Sequence, residues 1–168
     1  MLVVAGLGSP IYDVFAAGDN ALNFYVWGAM GSAAMVGLGL ALAQPNRPVT
    51  VFTGDGEMLM GLGAFSTIAQ HRPRNLTIII LDNEQYAETG MQQTATGFGT
   101  DLAAVARACG LSDASTIASE AELPSLKLKV QARAGVVVAV LKIQPGDQPR
   151  TVPLRDGAAI ADRFIRAL

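Results

Sequence analysis

"LTIIILDN", residues 76–83, decides the fold. Its first six positions are continuously apolar or β-branched, and the run breaks at an aspartate followed by an asparagine. A strand with no polar face is covered on both sides, and that places it centrally in a parallel sheet under helices. Other strand-like runs surround it: LVVAGL (2–7), NFYVW (23–27), VTVF (49–52) and GVVVAVLKI (135–143). Helical patterns fill the gaps. Met30 to Ala43 is rich in small residues and ends at QPNRP, and a helix from about Gly61 to His71 aligns Leu62, Phe65, Ile68 and Ala69. His71 then sits where a helix end favours its side chain rather than in any catalytic setting. Leu102, Val105 and Cys109 mark one face of a later helix, which makes Cys109 a packing residue. A helix near 120–133, a Pro- and Gly-containing connection after 143 and a terminal helix from Asp156 complete the series. The alternation predicts an α/β fold: a doubly wound, mostly parallel sheet with helices on both faces. No repeat or linker divides the chain, so residues 1–168 are expected to form a single domain.

Composition narrows the function classes. Charged residues make up 15% and apolar ones 51%, too little polar surface for a solitary globule, which points to a doubly covered parallel sheet or to a surface that another chain covers. Net charge is −2 with scattered Lys and Arg, which gives no footprint for nucleic acid. A single cysteine excludes a disulfide framework or a cysteine-ligated cluster within the chain. Residues 24–43 carry no charge over a length sufficient to cross a bilayer. Four glycines interrupt that run and no basic flank precedes it, so no membrane span is expected. Met1 to Gly8 lacks the basic lead of a signal peptide, and Asp13 follows early. The expected location is the cytoplasm.

In sheets of this kind, ligands bind beyond the carboxyl ends of the strands. Three features fall there: Trp27-Gly28-Ala29-Met30, Gly54-Asp55-Gly56 and Asp82-Asn83. Glycines flanking Asp55 allow close backbone approach and expose N–H groups, as a phosphate site requires. Asp55 and Asn83 both offer oxygen, which suits magnesium beside phosphate. The 25 residues between Gly56 and Asp82 make one helix and one strand, so the two side chains come from adjacent strand ends. By itself a Gly-Asp-Gly turn is common. The spacing to Asn83 gives it weight.

GDG (54–56), about twenty-five residues and then DN (82–83) resembles the motif of thiamine diphosphate enzymes. WGAMG (27–31) is similar to the segment these enzymes place against the cofactor's aminopyrimidine. LDNEQYAETGMQQTAT (81–96) is similar to a loop of the sulfopyruvate and phosphonopyruvate decarboxylase group, most closely of its β subunits. The resemblance implies a diphosphate-binding domain. Asp55 and Asn83 would ligate Mg2+ with side-chain oxygens and Gln85 with its backbone carbonyl. Gly54 and the N–H groups of Gly56 and Glu57 would face the diphosphate, with Tyr86 also against the cofactor. The Gly28 carbonyl would accept from the pyrimidine amino group, Met30 would hold the cofactor folded, and Glu88 would relay protons. Relatives often have a small hydroxyl at position 57. A carboxylate there must turn away from the phosphate or pair with a cation.

The resemblance also implies a second domain bearing a glutamate that activates the pyrimidine, for which no segment is left over. The expected protein is therefore the β subunit of a thiamine diphosphate- and Mg2+-dependent 2-oxo acid decarboxylase, acting on a sulfo- or phosphonopyruvate-like acid. Its active site would be shared with a separate pyrimidine-binding subunit in a hetero-oligomer. Two other functions fit the same residues: a subunit of a carboligase or oxidoreductase using this cofactor, and a cofactor-binding scaffold without chemistry. Arg72, Arg74, Arg150 and Arg155 are available to an anionic substrate tail, but no motif aims them.

Overall fold

The computed structural model describes residues 1–146 and 149–168. Strands β1 (Leu2–Ala5), β2 (Asn23–Tyr25), β3 (Val49–Gly54) and β4 (Leu76–Asp82) are followed by a small antiparallel hairpin, β5 (Gln85–Tyr86) and β6 (Gln92–Gln93). Strands β7 (Asp113–Ile117) and β8 (Val137–Lys142) come last. The main sheet has six strands in the order β2-β1-β3-β4-β8-β7, and every pair in it is parallel. The helices are α1 (Ser9–Ala16), α2 (Ala33–Ala43), α3 (Asp55–Met60), α4 (Ala64–His71), α5 (Leu102–Ala108), α6 (Leu123–Ala132) and α7 (Gly157–Ala167).

β4 lies inside the sheet, as its unbroken apolar run predicts. Its alternate residues serve opposite faces. Ile78 and Ile80 join Val4, Val51, Val138 and Val140 under α2, α4 and α5, while Ile79 and Ala139 pack with Leu126 of α6. Ala5, Ile11, Tyr12, Tyr25 and Ile160 form a separate cluster that seats α1 on that second face, while α7 contributes Ile160 to this cluster and Phe164 to the first. Each fully buried Ile or Leu contributes about 1.5–3 kcal/mol, so β4 anchors both layers. Small residues let α2 lie close to the sheet: a Cβ on Gly37 would come within 2.2 Å of the Val51 side chain.

Several boundaries differ from expectation. The second helix begins at Ala33 rather than Met30, because Ala29 (φ 52) and Gly31 (φ 97) adopt left-handed backbone that no helix accommodates. Residues 61–63 form a turn before α4, so that helix is shorter than the apolar pattern suggests. Gly54-Asp55-Gly56 is not a turn: Gly54 is extended (φ −86, ψ 161) and Asp55 starts α3 directly. Strands β1, β2 and β8 are shorter than their apolar runs and β3 is longer, reaching Gly54. The predicted helix near 120–133 is a short 3-10 turn, Glu120–Glu122, running into α6. Besides α3 and the β5–β6 hairpin, α1 and β7 were not expected. α1 carries Pro10 in its first turn, and β7 is an edge strand of mostly small polar residues. Within the Pro- and Gly-containing connection, Asp147 and Gln148 lie outside the described residues.

Residues 24–43, weighed as a span, divide between β2, a loop and α2. Among the described residues no helix is long and apolar enough to cross a membrane.

Candidate active site

The strand order reverses direction beside β1: the chain leaves β1 for one edge and returns to the other side as β3. α1 leaves toward one face of the sheet, while α3 and α4 leave toward the other, which opens a crevice at the carboxyl ends. A cavity of about 160 Å³ occupies it. Its wall includes Met30, Asp55, Asn83, Gln85, Tyr86 and Glu88, together with Gly54, Gly56 and Glu57. Of the expected site residues only Gly28 is outside this wall; it is exposed in the loop leading to Met30. The turn after β1 also lines the crevice through Leu7, Gly8, Ser9 and Pro10, and sequence reasoning missed it. Pro10 in a first turn and the apolar residues Ile11, Tyr12 and Phe15 were the available signal.

Asp55 is 1% exposed. Its Oδ2 accepts from the Thr94 hydroxyl (2.5 Å), and the Thr96 hydroxyl lies 3.1 Å from it, both from beyond the hairpin. Burial holds its pKa above the ordinary carboxylate range; the threonines oppose this and the Asp82 charge adds to it. Asp82 is itself paired, accepting from Lys142 Nζ (3.0 Å) and the Thr96 hydroxyl (2.8 Å). Lys142 also pairs with Glu84. The result is that Asp55 has neutral donors only. Nothing in the sequence around Asp55 marks Thr94 and Thr96, which lie 39 and 41 positions away.

Asn83 Oδ1 accepts from the Gln85 N–H (3.0 Å), which bends the chain just past β4, and Glu84 between them is left-handed (φ 62). Of the five non-glycine residues with positive φ among the described residues, Arg72 and Arg133 simply end helices. Ala29 and Glu84 end none, and both adjoin the crevice. Strain of this kind persists where the surroundings fix a backbone for use.

The donor set fits a hard cation. Among the described residues no cluster of three or more His, Cys, Asp or Glu is poised to hold a metal. With the Glu57 carboxylate already engaged by backbone N–H groups and Thr53, the crevice offers the Asp55 carboxylate and amide oxygens, the ligands of magnesium rather than zinc. Gln85 Oε1 is buried with no hydrogen-bond partner among the described residues, a further oxygen in need of one. The first turn of α3 has no side-chain cap, and a Cβ on Gly54 would meet no protein atom. Gly56 is needed for a different reason than ligand approach alone: a Cβ there would lie 2.4 Å from the Tyr86 ring.

The Glu57 side chain turns away from where a phosphate would lie. Its oxygens face the turns after β1 and β2 and the Thr53 hydroxyl (2.8 Å). Glu88 stands at the crevice rim in an ion pair with Arg150 (3.3 Å). Arg155 stacks over Trp27, and Arg72 and Arg74 lie at the opposite end of the sheet.

Fold and crevice together define a doubly wound α/β domain built to hold a diphosphate-bearing cofactor with a hard cation. The chain belongs to the thiamine pyrophosphate enzyme family: its C-terminal TPP binding domain matches residues 10–141. Over 165 residues the chain is 38% identical to sulfopyruvate decarboxylase subunit beta of Methanothermobacter thermautotrophicus, covering 98% of this chain and 85% of that one. The protein of the same name from Methanocaldococcus jannaschii is 42% identical over 115 residues, 68% of this chain and 61% of that one. Phosphonopyruvate decarboxylase of Streptomyces viridochromogenes is 39% identical over 96% of this chain, which spans 41% of that enzyme. Benzoylformate decarboxylase from Polynucleobacter necessarius shares the fold, with a TM-score of 0.69 at 22% identity over 89% of this chain and 31% of its own.

Proposed function

We propose that this chain is the β subunit of a thiamine diphosphate- and Mg2+-dependent 2-oxo acid decarboxylase, folded as one diphosphate-binding domain over residues 1–168. The observation that bears most weight is that Asp55, Asn83, Gln85 and Met30 line one cavity at the strand switch point. Asp55 and Asn83 hold the metal by side-chain oxygens and Gln85 by its carbonyl. Asp55 suits this because it is buried without a cation of its own. The N–H groups of Gly56 and Glu57, in the uncapped first turn of α3, receive the diphosphate beside Gly54. Tyr86 closes that side of the crevice over Gly56.

The bound cofactor supplies a nucleophilic carbon for addition to a 2-oxo acid and an electron sink for the departing carboxylate. The chain's own residues position it. Met30 props the middle of the cofactor, and the Gly28 carbonyl accepts from its pyrimidine amino group. Glu88, held at the rim by Arg150, moves a proton at the substrate carbon. The substrate class, a sulfo- or phosphonopyruvate-like acid, follows from relatives named for those acids. A second, pyrimidine-binding subunit in a cytoplasmic hetero-oligomer supplies the activating glutamate, in keeping with relatives named as subunit beta.

The test is carbon dioxide release from sulfopyruvate, phosphonopyruvate and pyruvate with thiamine diphosphate and magnesium. The isolated chain should be silent, and adding the subunit that co-purifies from native extract should restore turnover. Turnover by the isolated chain refutes the shared site. Silence of the assembled complex on all three acids refutes the decarboxylase reading.

A further inference from the structure

The Glu57 side chain has no part in the roles above, yet it is 2% exposed and belongs to no ion pair among the described residues. Its neighbours come from three separate strand ends. Oε1 accepts from the Gly31 N–H (3.3 Å) and the Ala33 N–H (3.4 Å), at the turn leading from β2 into α2. Oε2 accepts from the Thr53 hydroxyl (2.8 Å) near the end of β3. At the end of β1, Gly6 passes so close that a Cβ there would lie 1.8 Å from Oε2.

Gly31 is gripped from its other side too. A Cβ on Gly61 would come within 2.1 Å of the Gly31 carbonyl oxygen. Met30 is therefore followed by a residue held between Glu57 and the end of α3, and preceded by the left-handed Ala29. Burying a carboxylate on neutral donors alone is costly, and an apolar side chain of equal volume would stabilise the protein better. What the carboxylate supplies is direction: it fixes the Gly31 and Ala33 N–H groups and the Thr53 hydroxyl at one point, where an apolar side chain fixes none.

We propose that Glu57 is a positioning residue whose carboxylate clasps the turn after β2 onto α3, and so sets Met30 in the crevice wall. The consequence for turnover rests on the reading of Met30 as the prop for the cofactor.

Two variants of the full chain test it. Glu57→Met keeps the volume but accepts nothing from the loop, whereas Glu57→Gln keeps one oxygen for Gly31 and Ala33. In the cofactor-free chain, amide hydrogen exchange at Gly31 and Ala33 should be slow in the wild type, fastest in Glu57→Met and intermediate in Glu57→Gln. In the assembled enzyme, kcat should fall about tenfold or more in Glu57→Met, with KM and cofactor affinity changed less than about threefold, and Glu57→Gln should recover much of the loss. If Glu57→Met does not fold, Glu57→Gln decides alone: faster exchange with reduced kcat at unchanged KM supports the clasp. Wild-type exchange or wild-type kcat in the folded variants overturns it. A wild-type complex that binds no thiamine diphosphate would refute the function proposed above, while the exchange pattern would still decide the clasp.

Discussion

The two ends of the sheet both present hollows, and they differ in kind. At the amino-terminal end a groove of about 670 Å³ is bordered by Arg72, Arg74, Asp113 and Gly135. Both arginines there are exposed; Arg72 bonds the Ala69 carbonyl three residues back, and Asp113 pairs with Lys129 (2.5 Å). At the carboxyl end the cavity is only about 160 Å³, but two of its carboxylates, Asp55 and Glu57, are buried and take partners far away in sequence, Thr94 for Asp55 and Gly31 for Glu57. Volume therefore does not identify the site. A site is where polar groups have been removed from water at a cost that only a ligand or a required geometry explains.

The largest effect expected from breaking this contrast is at Asp55. If Asp55 is the metal ligand proposed above, Asp55→Ala leaves diphosphate charge unneutralised, and thiamine diphosphate affinity of the assembled enzyme should fall about 100-fold or more, roughly 2.7 kcal/mol. Titration calorimetry with magnesium present measures it, and unchanged affinity would remove Asp55 from the site.

Next is Met30→Ala, which should leave the diphosphate anchored and reduce kcat about tenfold, near 1.4 kcal/mol in the barrier. Steady-state kinetics alongside cofactor titration separate the two quantities. Normal turnover would make Met30 an ordinary wall residue.

A smaller effect concerns stability without cofactor. Burial raises the pKa of Asp55 and of Glu57, so each binds its proton more tightly folded than unfolded. Stability from such a group is fully present below the unfolded pKa and is lost as pH rises through the folded one. The cofactor-free chain should therefore melt at a higher temperature near pH 5 than near pH 7, and Asp55→Asn should raise the neutral-pH Tm by about 2 °C or more. Calorimetric scans across that range check both signs.

The smallest effect belongs to the opposite groove. Arg74→Ala should change stability by less than about 0.5 kcal/mol and leave cofactor affinity untouched, as for exposed surface substitutions generally. Chemical denaturation and the same titration test this. A loss of cofactor affinity there would undo the contrast between the two ends.

Sequence by itself determined the layered α/β fold, because LTIIIL and its neighbours have no polar face to give to water and must be covered on both sides. It also placed Asp55 and Asn83 side by side, since one crossover separates them, which the structure builds from two short helices and β4. These are local properties, set by periodicity and by the length of one crossover. Tertiary structure alone decided what surrounds that pair. Thr94 and Thr96 reach Asp55 only because the β5–β6 hairpin folds back over the crevice. The start of α2 was misplaced because Gly31 must pack backbone to backbone against Gly61. The Glu57 side chain points behind α3 because the Gly31 and Ala33 N–H groups and the Thr53 hydroxyl converge there. Contacts between residues dozens of positions apart leave no period in the chain, so their physical cause becomes visible only when the strand ends are brought together.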